Sequence, residues 1–110
     1  MFRAQIPAVD AAAVPADAIL LDVRENDEWA AGHADGAVHI PMGEVVGRLS
    51  EVPEGGRIHV VCRVGGRSAQ VTQYLIAQGM DAVNVNGGML DWEASGRPVV
   101  DGSGAAGFVL

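Results

Sequence analysis

Arg57-Ile58-His59-Val60-Val61-Cys62-Arg63-Val64-Gly65-Gly66-Arg67-Ser68 is the stretch that decides the fold. A β-branched apolar run ends on a cysteine, passes through a glycine-rich loop and enters a segment with helical spacing. Across residues 68–78, Val71 and Leu75 fall on one face with Ala69, Thr72 and Ile76 beside them, and Gly79 follows as a C-terminal cap. Short apolar strands separated by helices, here interrupted only by His59, imply parallel pairing in a sheet covered by helices. Residues 57–62 are therefore expected at the centre of such a sheet.

The same alternation continues outward. Residues 18–23 read as a strand, and residues 25–31 as a short helix with acidic residues early and Gly32 just after. Residues 37–40 form a second strand stopped by Pro41, residues 43–49 a brief helix, and Pro53-Glu54-Gly55-Gly56 a turn. Beyond the central helix come a strand at 82–85, a turn at Asn86-Gly87-Gly88 and a last helix at 89–95. Gln5-Ile6-Pro7 and Pro98-Val99-Val100 are expected as edge pieces, because proline suits sheet edges. The fold class is α/β, a parallel sheet with helices on both faces. Residues 1–100 read as one domain, and residues 101–110 as a Gly/Ala-rich tail, mobile except where Phe108-Val109-Leu110 can pack.

Composition narrows the function. The chain has 110 residues, 49% hydrophobic and 19% charged, enough to build one core. All seven basic residues are arginine. Without lysine there is neither a Walker-type phosphate loop nor a lysine Schiff base. A net charge of −7 without a basic run argues against nucleic-acid binding. The single cysteine, Cys62, excludes an intrachain disulfide and a thiolate-rich zinc site. The N-terminus lacks the apolar core of a secretory signal, and no segment approaches the roughly 18 apolar residues of a membrane span. A cytoplasmic protein that uses no membrane, metal or cofactor is the expectation.

Sites in parallel sheets form beyond the carboxyl ends of the strands, and Cys62 occupies that place. The paired glycines Gly65 and Gly66 let the loop curl its N–H groups inward as an anion-binding nest. The free N–H groups opening the next helix add positive potential, and Arg63 and Arg67 add charge. All three favour thiolate, so the Cys62 pKa should be depressed. The alternative is an inert buried cysteine, a position that gains nothing from two nearby cations.

Cys62-Arg63-Val64-Gly65-Gly66-Arg67-Ser68 resembles the active-site loop of the rhodanese family, the thiosulfate sulfurtransferases. Leu21-Asp22-Val23-Arg24-Glu25, Glu28-Trp29, Gly32-His33 and Gly36-Ala37-Val38-His39-Ile40-Pro41 resemble its N-terminal signature. Gly87-Gly88-Met89-Leu90-Asp91-Trp92 to Gly96-Arg97-Pro98-Val99 resemble its C-terminal one. The resemblance implies a sheet of about five strands and transfer of a sulfane sulfur through a Cys62 persulfide. The implied donor is thiosulfate or another persulfide, the acceptor cyanide, a small thiol or a protein thiol. Arg63, Val64, Gly65, Gly66, Arg67 and Ser68 would bind substrate, with Asp22, Arg24 and His33 in supporting structural roles. Phosphatases of the same fold need one more residue between cysteine and arginine, so this tighter loop disfavours a phosphoryl group. Val64 is apolar where many relatives carry a polar or small residue.

Other candidates read more plainly. Trp29 and Trp92 are core anchors whose indole N–H groups need partners. His33 and His39 are expected to bond to backbone, and His59 lies on the opposite strand face from Cys62. Asp27, Glu28, Glu44, Glu51 and Glu54 are expected on a solvated surface. Two functions stand side by side: a monomeric sulfurtransferase that turns over alone, and a sulfur-relay or binding module that depends on a protein partner.

Overall fold

A computed structural model describes residues 6–110. The apolar runs become five strands: β1 (Ala8–Asp10), β2 (Ile19–Asp22), β3 (Val38–His39), β4 (Ile58–Val61) and β5 (Ala82–Asn86). They pair in parallel in the order β1-β5-β4-β2-β3. β4 is central and every one of its residues is buried, His59 included, as a strand covered on both faces demands. Helices α1 (Asn26–Ala31), α2 (Gly66–Ala77) and α3 (Gly88–Ala94) supply cover.

The sheet divides two cores. On one face Leu21, Val23, Ile58, Val60 and Cys62 pack with Val71 and Leu75 of α2. On the other, Leu20, Val61 and Val85 pack with Met89 and Trp92 of α3. The two-residue period of β4 sends Ile58, Val60 and Cys62 to one side and Val61 to the other, so His59 faces away from Cys62. Each buried large aliphatic side chain contributes about 1.5–3 kcal/mol. The Trp92 indole N–H finds its partner in Pro98 O at 3.0 Å, and the Arg97 guanidinium stacks 3.9 Å over its ring.

Three local expectations are corrected here. Gln5 lies outside the described residues, and the edge strand forms one step later than Gln5-Ile6-Pro7, at Ala8–Asp10. Pro7 still contributes a carbonyl, which accepts the Asn84 N–H at 2.8 Å, but it has no N–H to continue a ladder. At the other end, Val100 makes antiparallel bridges with His33 and Ala106 instead of joining the sheet. Residues 43–49 form no α-helix; two 3-10 turns, Met42–Glu44 and Leu49–Glu51, stand there. Gly43, Gly47 and the pair Val45-Val46 are poor helix formers.

Phe108 and Val109 are held as expected, and the segment before them, expected to be mobile, is tied down as well, with Gly102 N–H donating to Ala30 O at 3.3 Å. Gly107 N–H donates to Val99 O at 2.9 Å, Phe108 N–H to Ala31 O at 3.0 Å and Val109 N–H to Glu93 Oε2 at 3.0 Å. Its small residues allow this, since a Cβ on Gly107 would meet Ala31 O at 2.7 Å. Among the described residues no helix is long and apolar enough to cross a membrane.

Candidate active site

Cys62 follows the last residue of β4 directly and is 1% exposed. Its Sγ accepts the Gly65 N–H at 3.1 Å and the Ser68 hydroxyl at 3.3 Å. Gly65 makes this possible. Its φ of +114° lies where side chains are strained, and it turns the chain so that α2 starts at Gly66, two residues before the expected Ser68. The result is a cup of N–H groups around one sulfur, with Arg63, Val64 and Gly66 exposed on its outside and Ser68 buried within.

The electrostatics follow from this geometry. Burial pushes the Cys62 thiol up. The Ser68 hydroxyl and the N–H groups of Ser68, Gly65 and Val64 outweigh burial and hold the thiol below its ordinary value. Of the three effects the sequence names, the fixed dipoles of the loop and helix start are the ones that lower the thiol, joined by the Ser68 hydroxyl. Removing one of them has a signed consequence. The thiolate fraction rises as pH climbs through the Cys62 pKa, and Ser68→Ala moves that rise to higher pH. Alkylation of Cys62 by iodoacetamide at neutral pH is expected to slow about tenfold in Ser68→Ala. A pH–rate profile superimposable on that of the wild type would refute the assigned role.

The cup is anchored from behind by residues that lie outside the loop. Asn84 Nδ2 on β5 donates to Gly65 O at 3.2 Å. The first turn of α3 donates to the start of the loop, Met89 N–H to Cys62 O at 2.8 Å and Leu90 N–H to Arg63 O at 3.1 Å. That approach requires Gly88, where a Cβ would run into the carbonyl oxygens of Cys62 and Arg63. Gly88→Ala is expected to cost about 2–3 kcal/mol and to disturb the thiol, measured as a lower melting temperature with slower alkylation. Asn84 was missed because a lone asparagine in a strand carries no signal of the loop it meets. The Gly87-Gly88 pair reads in the sequence as a turn and as the start of the C-terminal signature, neither of which shows that it supports the loop.

The two arginines are both occupied elsewhere. Arg63 Nε donates to Leu110 O at 2.8 Å. Arg67 Nη1 and Nη2 grip Glu28 Oε1 and Oε2 at 2.7 and 2.9 Å. Glu28, expected on a solvated surface, is thus drawn into the site with only 14% of its side chain exposed. The Arg67 guanidinium is the largest influence on its carboxyl, which is lowered to about 2. One signal was available: Glu28 stands three residues after Glu25, the spacing of a capping box, which here opens α1.

Asp22 and Arg24 meet in a fully buried pair, Arg24 Nη2 to Asp22 Oδ2 at 2.7 Å, with Nη2 also on Gly32 O at 2.8 Å. The pair thereby joins the end of β2 to the end of α1. His33 Nδ1–H donates to Trp29 O at 2.7 Å and His39 Nε2–H to Arg24 O at 2.8 Å. Both imidazoles stack on the half-buried Trp29 indole, with centroids 3.6 and 4.7 Å away. His33 therefore packs with α1 and does not hydrogen-bond to the thiol.

Comparison with known proteins fits this arrangement. The sequence model of the rhodanese-like domain matches residues 8–95. The chain is 42% identical over 79 residues to YtwF of Bacillus subtilis, covering 72% of this chain and 77% of that protein. It is 38% identical over 84 residues to the thiosulfate sulfurtransferase GlpE of Actinobacillus pleuropneumoniae, covering 74% and 77%. A solved rhodanese-related protein from Thermoplasma volcanium superimposes with a TM-score of 0.80 at 30% identity, over 86% of this chain and 97% of that one. A parallel sheet whose central strand delivers a cysteine into a cup of amides, matched by the family model over residues 8–95, makes this chain a member of the rhodanese-like domain family.

Proposed function

We propose that the protein is a sulfurtransferase that carries a sulfane sulfur on Cys62, with thiosulfate or another persulfide as donor and cyanide, a small thiol or a protein thiol as acceptor. The observation that carries the reading is the cup itself: one buried sulfur receiving the Gly65 N–H and the Ser68 hydroxyl. Sulfur transfer is the activity named for the relative GlpE.

In the first half-reaction the Cys62 thiolate attacks the outer sulfur of thiosulfate. A Cys62–S bond forms, the S–S bond of the donor breaks, and its electron pair leaves on sulfite. Charge balances, since a thiolate and a dianion give a persulfide anion and sulfite. In the second, the acceptor nucleophile attacks the outer persulfide sulfur; cyanide leaves as thiocyanate and Cys62 returns as thiolate. Two half-reactions on one covalent intermediate give ping-pong kinetics. The loop amides stabilise the anionic sulfur in both the thiolate and the persulfide, which is the electrostatic part of catalysis. Asp22, Arg24 and His33 act at a distance by holding β2 and α1 under the loop. A monomer in the reducing cytoplasm suits a lone thiol that must return reduced after each cycle.

Intact-protein mass spectrometry tests the cycle. Thiosulfate should add one sulfur atom to the wild type and none to Cys62→Ser, and cyanide should remove it. Absence of an adduct with small donors, alongside transfer from a protein persulfide, would favour the relay reading.

A further inference from the structure

Arg67 stands in the first turn of α2, where it could meet an incoming anion, yet both of its Nη groups are engaged by Glu28 at 2.7 and 2.9 Å. Glu28 is held as firmly as its partner. Its Oε1 also accepts the Glu25 N–H at 3.0 Å, its own side chain caps α1, and its backbone carbonyl receives Arg24 Nη1 at 3.4 Å. An anion arriving at the loop cannot swing the carboxylate aside without breaking the cap of α1. The ion pair is formally neutral, so attraction for an anion rests on the amide dipoles, Ser68 and the exposed Arg63, whose Nε is held by Leu110 O. Those dipoles match a single negative charge on sulfur. A second charge on the donor meets a compensated arginine and a chain of net charge −7.

We propose that Glu28 is a specificity-determining residue, which by neutralising Arg67 directs Cys62 toward sulfane-sulfur donors with one negative charge or none and away from dianionic donors such as thiosulfate. The proposal rests on the sulfur-transfer reading and narrows its substrate class to persulfides of thiols and related singly charged species.

The test has two arms. The first compares thiosulfate, a dianion, with benzenethiosulfonate, a monoanion that gives up its outer sulfur in the same way and leaves as benzenesulfinate. In Glu28→Gln the preference for benzenethiosulfonate, as a ratio of kcat/KM values, is expected to fall about tenfold, mostly through a lower thiosulfate KM. Glu28→Asp, which keeps the charge, should retain most of the wild-type preference. The second arm needs no sulfur transfer: the rate of Cys62 alkylation by anionic iodoacetate relative to neutral iodoacetamide. That ratio should rise severalfold in Glu28→Gln and fall in Arg67→Gln, where the carboxylate is left unopposed. A purely structural Glu28 would alter both alkylation rates alike. An unchanged ratio in both variants overturns the proposal and leaves the persulfide cycle standing. A raised ratio with unchanged donor preference overturns it as a device of specificity. Failure of every donor to load Cys62 in any variant overturns both readings.

Discussion

Cys62→Ser is expected to lower sulfur transfer by at least about 10³-fold while leaving the fold intact. A serine hydroxyl is not ionised at neutral pH, and the cup stabilises an anion that serine does not supply. The fold survives for a geometric reason. Sγ accepts the Gly65 N–H and the Ser68 hydroxyl, and a serine oxygen at the same place can accept from both. The stability change should stay near about 1 kcal/mol. Steady-state assay with circular dichroism and thermal melting checks both halves. Turnover above about a tenth of wild type would remove the covalent mechanism, because no other cysteine exists in the chain.

The second large effect concerns stability. Arg24→Met is expected to cost about 3–5 kcal/mol, because it strands the Asp22 carboxylate in a fully buried site. Arg24 also gives up its Nη2 bond to Gly32 O at 2.8 Å, which releases the end of α1. A melting temperature lower by roughly 15–25 °C corresponds to that loss in a domain of this size. The double variant Asp22→Asn with Arg24→Met should regain a large part of it, since no unpaired charge remains. If the double variant melts no higher than the single one, charge burial is the wrong cause and lost packing the right one. Activity should fall with stability only as far as the unfolded fraction requires, because neither side chain hydrogen-bonds to the thiol.

Much of this molecule was readable from its sequence, and the boundary of that legibility is physical. The strand at 58–61 and the helix behind it announced themselves through local pattern, an apolar run followed by helical spacing. The place of Cys62 followed from the parallel sheet alone. Long-range pairing was not legible. The spacing from Glu25 marks Glu28 as a cap of α1, but nothing local shows that it also crosses to Arg67, whereas Glu44 reaches only to Arg48 on the same surface turn. Likewise the side chain of Asn84 meets the loop because β5 lies beside β4, a fact of topology. Weak helix formers also misled the reading at 43–49, where tertiary context chose two 3-10 turns. Residues 101–110 were read from composition, which is silent about the close backbone contacts that small residues permit.

The anchoring of the cup from behind bears on how the scaffold can evolve or be redesigned. The carbonyls of Cys62 and Arg63 are pinned to the start of α3, and that of Gly65 to Asn84. Gly65 O also accepts the Ala69 N–H at 3.1 Å, and an insertion beyond it would carry the Ser68 hydroxyl away from Sγ. Loop length is thus fixed from both ends, and a bulkier leaving group has to be admitted by changing the exposed side chains of Arg63 and Val64, not by lengthening the loop.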